Sequence, residues 1–183
     1  DGVRLVISDA HTGLRAAIAR VFEATWQRCR VHWMRNALAH VSKGQHTVVA
    51  AAIRQAFDQP DRTHAGEIWH KVSEQLRPRW PKLADLMDAS EHDVLAYMSF
   101  PRQHRTKLHS TNPIERLNKE VKRRADVVGI FPNEASITRL IGAVLFEAND
   151  DWQTSSRYMM VEAFAQIDKE EIDPILSITT KAA

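Results

Sequence analysis

The chain of 183 residues balances 25 lysines and arginines against 23 acidic residues, a formal net charge of +2, so attraction to a polyanion must come from where charges sit rather than from their sum. A single cysteine excludes an intramolecular disulfide framework, and no apolar run has the length of a membrane span or a secretion signal, which makes the cytoplasm the expected location. The length suits one domain with a real core, or a domain carrying an insertion, and leaves little room for two independent ones.

The chain opens almost directly into VRLVISDAHTGL, residues 3–14. Val3, Leu5, Val6 and Ile7 read as a buried parallel strand, and that strand ends in an acid, Asp9. In open α/β sheets the carboxyl ends of strands are where ligands bind, because loops diverge there and helix amino-termini face the crevice. The abrupt start leads us to expect that the beginning of the domain lies upstream. Asp9 or Thr12 can cap a following helix, whose apolar positions Leu14, Ala17, Ile18, Val21 and Phe22 keep helical spacing. A second extended stretch, TWQRCRV at 25–31, passes into a helix marked by Met34, Leu38 and Val41, so two βα units in succession predict a parallel strand pair.

From about Gly44 the strand signals stop. Val48, Val49, Ala52, Ile53 and Phe57 mark a helix closed by Pro60 and Asp61, and two or three more follow, broken at Pro78 and Pro81 and ended near Pro101. After the basic link RQHRTKLHS come STNPIERLNKEVKRR (110–124) and a long helix in which Ile137, Leu140, Ile141, Val144, Leu145 and Ala148 form a broad face suited to packing on a sheet. Beyond Ile167 the pattern weakens, and Pro174 with the closing SITTKAA reads as frayed.

The stretch 110–124 supports two readings. With Asn112 as N-cap, Pro113 falls at the first helical position and Glu115 at the third, a capping-box arrangement in which Glu115 is only a cap. Ile114, Leu117 and Val121 make a narrow apolar stripe, and Glu120 and Arg124 a favourable i, i+4 pair. The surrounding charge points elsewhere. Arg102, Arg105, Lys107, Arg116, Lys119, Lys122, Arg123 and Arg124 are opposed locally only by Glu115 and Glu120, with His104 and His109 beside them. A carboxylate in a cationic patch suits a nuclease: the cations hold phosphates and release counterions, and the acid, kept ionised, can bind a divalent metal.

Taken together, VISDAHTGLRAAIARVFEATWQRCRVHWMRNAL, LRPRWPKLADLMD, VLAYMSFP and STNPIERLNKEVKRRADVVGIFPNEASITRLIGAVL resemble bacterial insertion-sequence transposases of the Mutator type, in the family's order and up to about Tyr158. The resemblance implies an α/β fold, a ribonuclease H-like core lacking its first strands here, with a large all-α insertion that makes the chain mostly helical. It divides the chain into a second part of the core at 1–43, a helical insertion at 44–108, returning core helices bearing the catalytic glutamate at 109–168, and a disordered tail at 169–183. It implies an Asp-Asp-Glu enzyme in which Asp9 is the second aspartate and Glu115, in the pattern N-x-x-E-x-x-N with Asn112 and Asn118, is the glutamate; Glu120 is the competing assignment. Both would bind Mg²⁺ or Mn²⁺, two ions about 3.5–4 Å apart activating the attacking hydroxyl and stabilising the leaving oxygen of a phosphodiester. The implied partners are DNA, contacted by Arg105, Lys107, Arg116, Lys119, Lys122, Arg123 and Arg124, and further copies of the protein.

The family's first aspartate has no counterpart here. Asp1 cannot replace it, because eight extended residues separate it from Asp9, roughly 26 Å at about 3.3 Å each, whereas ligands of one metal cluster must converge. The chain is therefore expected to be a carboxyl-terminal portion that does not cleave DNA alone; the alternative is a non-catalytic remnant or truncated product that binds DNA or the full-length enzyme. Cys29 and His32 match the family's C-x-x-H motif. Half of a zinc site is one reading, with His11 or His40 completing it, but a second cysteine is absent and zinc usually takes four ligands. A Cys-His hydrolase lacks an orienting third residue. A buried cysteine with a hydrogen-bonded histidine, and a scaffold near the active site with Trp33 stacking on a displaced base, both remain open. Trp26, Trp69, Trp80 and Trp152 are expected in core or interface, and the other histidines at the surface.

Overall fold

The computed structural model describes residues 2–154 and residue 163. Two compact units divide there, one reaching from the amino-terminal end to Ser110 and the other starting at Thr111. The tail expected to fray, 169–183, lies outside the described residues, as does the end of the segment expected to run to 168.

In the first unit, β1 (Leu5–Ser8) leads into helix α1 (Thr12–Phe22), which returns the chain to β2 (Thr25–Arg28). The strands are parallel, with Leu5 opposite Thr25 and Ser8 opposite Arg28, and among the described residues they pair only with each other. This is the expected βαβ step, in which a parallel pair needs a crossover helix. Helix α1 is capped by neither Asp9 nor Thr12. His11 takes that place, its Nδ1 accepting from the Leu14 amide at 3.3 Å. Strand β2 is shorter than the 25–31 stretch suggests, because Cys29 is already the cap of helix α2 (Arg30–Leu38).

The helical middle follows as α3 (His46–Phe57), α4 (Arg62–Leu76) and α5 (Pro81–Val94), then a 3-10 turn at Ala96–Ser99 and the short α6 (Arg105–Leu108). Asp61 caps α4 by accepting the His64 amide at 2.9 Å, and Pro81 starts α5 where its missing N–H costs nothing. Ile53, Trp69, Leu83, Met87 and Val94 are fully buried where α3, α4 and α5 pack together. Trp33 joins them: its ring lies 4.8 Å from Trp69 and 6.3 Å edge-on to Phe57, and its Nε1 donates to Ser90 Oγ at 2.7 Å. Stacking on a displaced base is thereby excluded for Trp33, which is a core residue with no exposed surface.

Among the described residues of the sheet, Gln27 is the polar side chain with no exposed surface. Its Nε2 donates to the carbonyls of Arg28 (2.7 Å) and Val94 (2.9 Å), and its Oε1 accepts the Tyr97 amide at 2.7 Å. One side chain thus ties β2 to the end of α5 and the turn after it, satisfying the buried backbone groups of Val94 and Tyr97. Two further expectations fail here. His104 is 1% exposed rather than at the surface, and the helix expected to run to Pro101 stops at Val94.

The second unit holds α7 (Asn112–Val128) and α8 (Glu134–Thr154). Thr111, not Asn112, caps α7, so Pro113 falls one position later than the capping-box reading places it. Gly129 follows with a left-handed φ of 72°, which ends the helix. Val144 is the buried residue of α8, Leu140, Ile141 and Ala148 are half-buried, and Arg124 Nη2 meets Glu147 Oε2 at 2.8 Å between the two helices.

Candidate active site

The acid that ends β1 stands where the strand pattern suggests. Ser8 is still in the ladder, with its carbonyl accepting the Cys29 amide at 2.8 Å and its hydroxyl accepting Trp26 Nε1 at 2.8 Å. One residue further the chain leaves the sheet, and Asp9 projects with 56% of its side chain exposed. Helix α2 begins at the end of β2, so its first turn lies alongside. His32 Nδ1 meets a carboxylate oxygen of Asp9 directly. Cys29, fully buried, brings a third donor: one atom from each of Asp9, Cys29 and His32 lies within 4.8 Å of the others.

Chemically this is a mixed set of a hard oxygen, an imidazole nitrogen and a thiol sulfur. Among the described residues the group has three members, and neither histidine expected to complete a zinc site belongs to it. His11 is spent on the cap of α1. Arg28, at the end of β2, feels both Asp93 and Asp9, though burial is the stronger effect and lowers its pKa from the ordinary guanidinium value.

On α7 the two acids weighed for one role stand in different surroundings. Glu115 accepts a hydrogen bond from the Thr111 hydroxyl and lines a shallow hollow with Asn118, Lys119, Lys122, Arg123 and Asp126. Glu120 is held by two guanidiniums: Arg123 donates to Oε2 from Nε at 2.9 Å and to Oε1 from Nη2 at 2.7 Å, and Arg124 Nε to Oε1 at 2.8 Å. Those hydrogen bonds lower its pKa to about 2. Glu120 borders a different groove, with Pro113, Arg116, Leu117, Ala148, Asp151 and Trp152.

The basic residues expected to meet DNA are divided between the two units. Arg105 and Lys107 belong to the first unit, and Arg105 gives Nε to the Phe100 carbonyl (2.8 Å) and Nη1 to that of Pro60 (2.6 Å). Arg123 and Arg124 are committed to Glu120 and Glu147, whereas Arg116, Lys119 and Lys122 are exposed on α7 with Asn112 and Asn118. Sequence reasoning missed Gln27 and the pairing of Arg30 with Tyr97 (3.2 Å). Both bridge residues about seventy positions apart, which no local pattern signals.

The described residues thus present a short parallel βαβ step with an exposed acid just after its first strand, then a helical block and a basic helix. The chain belongs to the Mutator family of transposases, whose profile matches residues 1–155. It is 44% identical over 166 residues, 90% of its length, to the transposase for insertion sequence element IS1081 of Mycobacterium tuberculosis. It is 39% identical over 88% of its length to the transposase for ISRM5 of Rhizobium meliloti, and 40% identical over 85% to that for IS256 in transposon Tn4001 of Staphylococcus aureus. The match covers 40%, 41% and 40% of these relatives respectively, so the chain spans about two fifths of the length of the curated relatives it matches. Among the described residues no helix is long and apolar enough to cross a membrane.

Proposed function

We propose that this chain forms part of the catalytic core of an insertion-sequence transposase, ribonuclease H-like in fold, that cuts and joins DNA strands with divalent metal ions held by Asp9 and Glu115. The observation that carries the reading is Asp9 itself, an exposed carboxylate at the carboxyl end of a parallel strand, with the His32 imidazole set against it. Residues 44–108 are the insertion in that core, and residues 1–43 and 109–168 are the core segments on either side of it.

The donor set fits Mg²⁺ or Mn²⁺ at Asp9. Such ions take one or two carboxylates and fill their remaining positions with water and substrate phosphate. His32 Nδ1 holds one Asp9 oxygen, which orients the carboxylate and leaves the other free to face the metal. Cys29 is buried and soft, and serves as scaffold. Bound metal supplies Lewis-acid activation of the nucleophile and of the leaving oxygen. Glu115 is favoured over Glu120 because both Glu120 oxygens already serve guanidiniums, and stripping those bonds would offset the gain from a metal. Arg116, Lys119 and Lys122 neutralise DNA phosphates beside Glu115. The enzyme acts as an oligomer, since two element ends must be joined.

The test is a chimaera in which these residues replace the matching segment of the mycobacterial relative. Metal-dependent strand cleavage is expected from the chimaera and is abolished by Asp9→Ala or Glu115→Ala, whereas Glu120→Gln retains it. Cleavage that survives Asp9→Ala refutes the assignment. The isolated chain is expected not to cut; Mn²⁺-dependent nicking by it, lost in Asp9→Ala, would show that two carboxylates suffice. If the chimaera binds DNA but never cleaves, the chain is a binding module instead.

A further inference from the structure

A second concave site lies in the first unit, and neither Asp9 nor Glu115 is among the residues that line it. The amino end of α2, the carboxyl end of α3, the 3-10 turn after α5 and helix α6 enclose a cleft of about 290 Å³ lined by Arg30, Asp58, Tyr97, Arg102, Arg105 and His109, with Thr106 at its edge. Its charge is unbalanced: three guanidiniums face one carboxylate, and among the described residues none of the three makes an ion pair. Arg30 is held flat, its guanidinium 4.6 Å over the Phe57 ring and 5.8 Å from that of Tyr97, with Nη1 donating to the Tyr97 hydroxyl at 3.2 Å. Arg105 is fixed by the carbonyls of Phe100 and Pro60 and keeps Nη2 uncommitted to them. Arg102 is exposed. His109 Nδ1 donates to the Arg105 carbonyl at 3.0 Å, which fixes the ring and leaves Nε2 the other way.

Gathering cations around a hollow costs repulsion that a bound anion relieves. Two of the three are already immobilised, so an anion that binds them loses little side-chain entropy. Guanidinium forks match the oxygens of a phosphate, and a guanidinium plane backed by an aromatic ring also offers a face to a base. A cleft of this size has room for one nucleotide and none for a duplex.

We infer that this cleft seats one nucleotide of a single DNA strand, its phosphodiester held by Arg30, Arg102 and Arg105. The inference rests on DNA as the partner of this chain and adds a contact that neither Asp9 nor α7 supplies. A strand gripped here is separated from its complement locally.

The test measures anisotropy of a labelled oligothymidylate with the full chain at several salt concentrations. Arg102→Ala and Thr106→Glu alter exposed side chains of the cleft, and Arg20→Ala removes an exposed cation on α1 as the control for charge alone. Arg102→Ala is expected to weaken binding about fivefold and to reduce the slope of log affinity against log salt by about 0.7, the value for one phosphate contact on a single strand. Thr106→Glu weakens binding further, and Arg20→Ala leaves it within error of wild type. Equal losses in Arg102→Ala and Arg20→Ala, with binding retained by Thr106→Glu, overturn the cleft while leaving DNA binding intact. No binding by the wild-type chain overturns both. Thymidine 5′-monophosphate as competitor separates the sources of phosphate: displacement only at much higher concentration than the oligonucleotide supports a DNA strand, and displacement at equal concentration overturns it in favour of a free nucleotide.

Discussion

Replacing Gln27 with methionine keeps nearly the same volume and removes all three hydrogen bonds of its carboxamide. The Arg28 carbonyl is half-buried and can turn to water, but Val94 and Tyr97 lie in a segment, 94–98, that is buried throughout. Their carbonyl and amide are left without partners, at about 1–3 kcal/mol for each unsatisfied buried group, so the substitution should cost about 2–6 kcal/mol. Against total stability of about 5–15 kcal/mol for an ordinary domain, that is a large fraction. Urea unfolding followed by far-ultraviolet circular dichroism reads it as a fall in midpoint at unchanged slope. Gln27→Ala should be worse, since it adds a cavity to the same polar loss. A loss below about 1 kcal/mol for Gln27→Met would refute the reasoning, because it would mean that both backbone groups find other partners or that water reaches them.

Ser90→Ala should cost about 1–2 kcal/mol by leaving the indole N–H of Trp33 unpaired in the core, measured as a lowered thermal midpoint. Burial, opposed by the Arg105 carbonyl, lowers the pKa of His109 below the ordinary 6.5. The unfolded chain therefore takes up that proton first, and the contribution, complete above pH 6.5, declines as pH falls below it; His109→Asn should flatten that part of the stability profile. The Glu120 contribution has a lower window: with a folded pKa of about 2 against 4.5, it is present above pH 4.5 and lost as pH falls towards 2, and Glu120→Gln should abolish that acid dependence in the helix signal. His32→Ala should weaken Mn²⁺ binding at Asp9 about 10- to 100-fold, by calorimetric titration, since it removes the group that orients the carboxylate.

The strand ending in Asp9 was readable because an apolar run stopped by an acid is a local pattern, and the helices of the middle third because their periodicity and prolines are local too. What was not readable depended on register between elements. Asp9 meets His32 only because β1 and β2 pair in parallel with Ser8 opposite Arg28, which puts the end of one strand beside the first turn of the helix that follows the other. Trp33 in sequence is one aromatic beside a histidine; its place against Trp69 and Phe57 follows from how α2 packs on the helical block. The caps of α1 and α7 fall on His11 and Thr111, each the neighbour of an expected candidate, Thr12 and Asn112. Glu115 and Glu120 could not be separated from spacing alone, since what distinguishes them is which neighbours chose Glu120 as a partner.

The packing of Trp33 against Trp69 has an optical consequence. Two indoles 4.8 Å apart, tilted by 39° and shut away from water, couple their transitions and emit to the blue of exposed tryptophan. Trp33 stands on the helix whose first turn holds both Arg30 and His32. The native chain thus carries an unlabelled chromophore pair within one helix of both Asp9 and the arginine cleft, and a shift of α2 on occupancy of either would register in its near-ultraviolet dichroism.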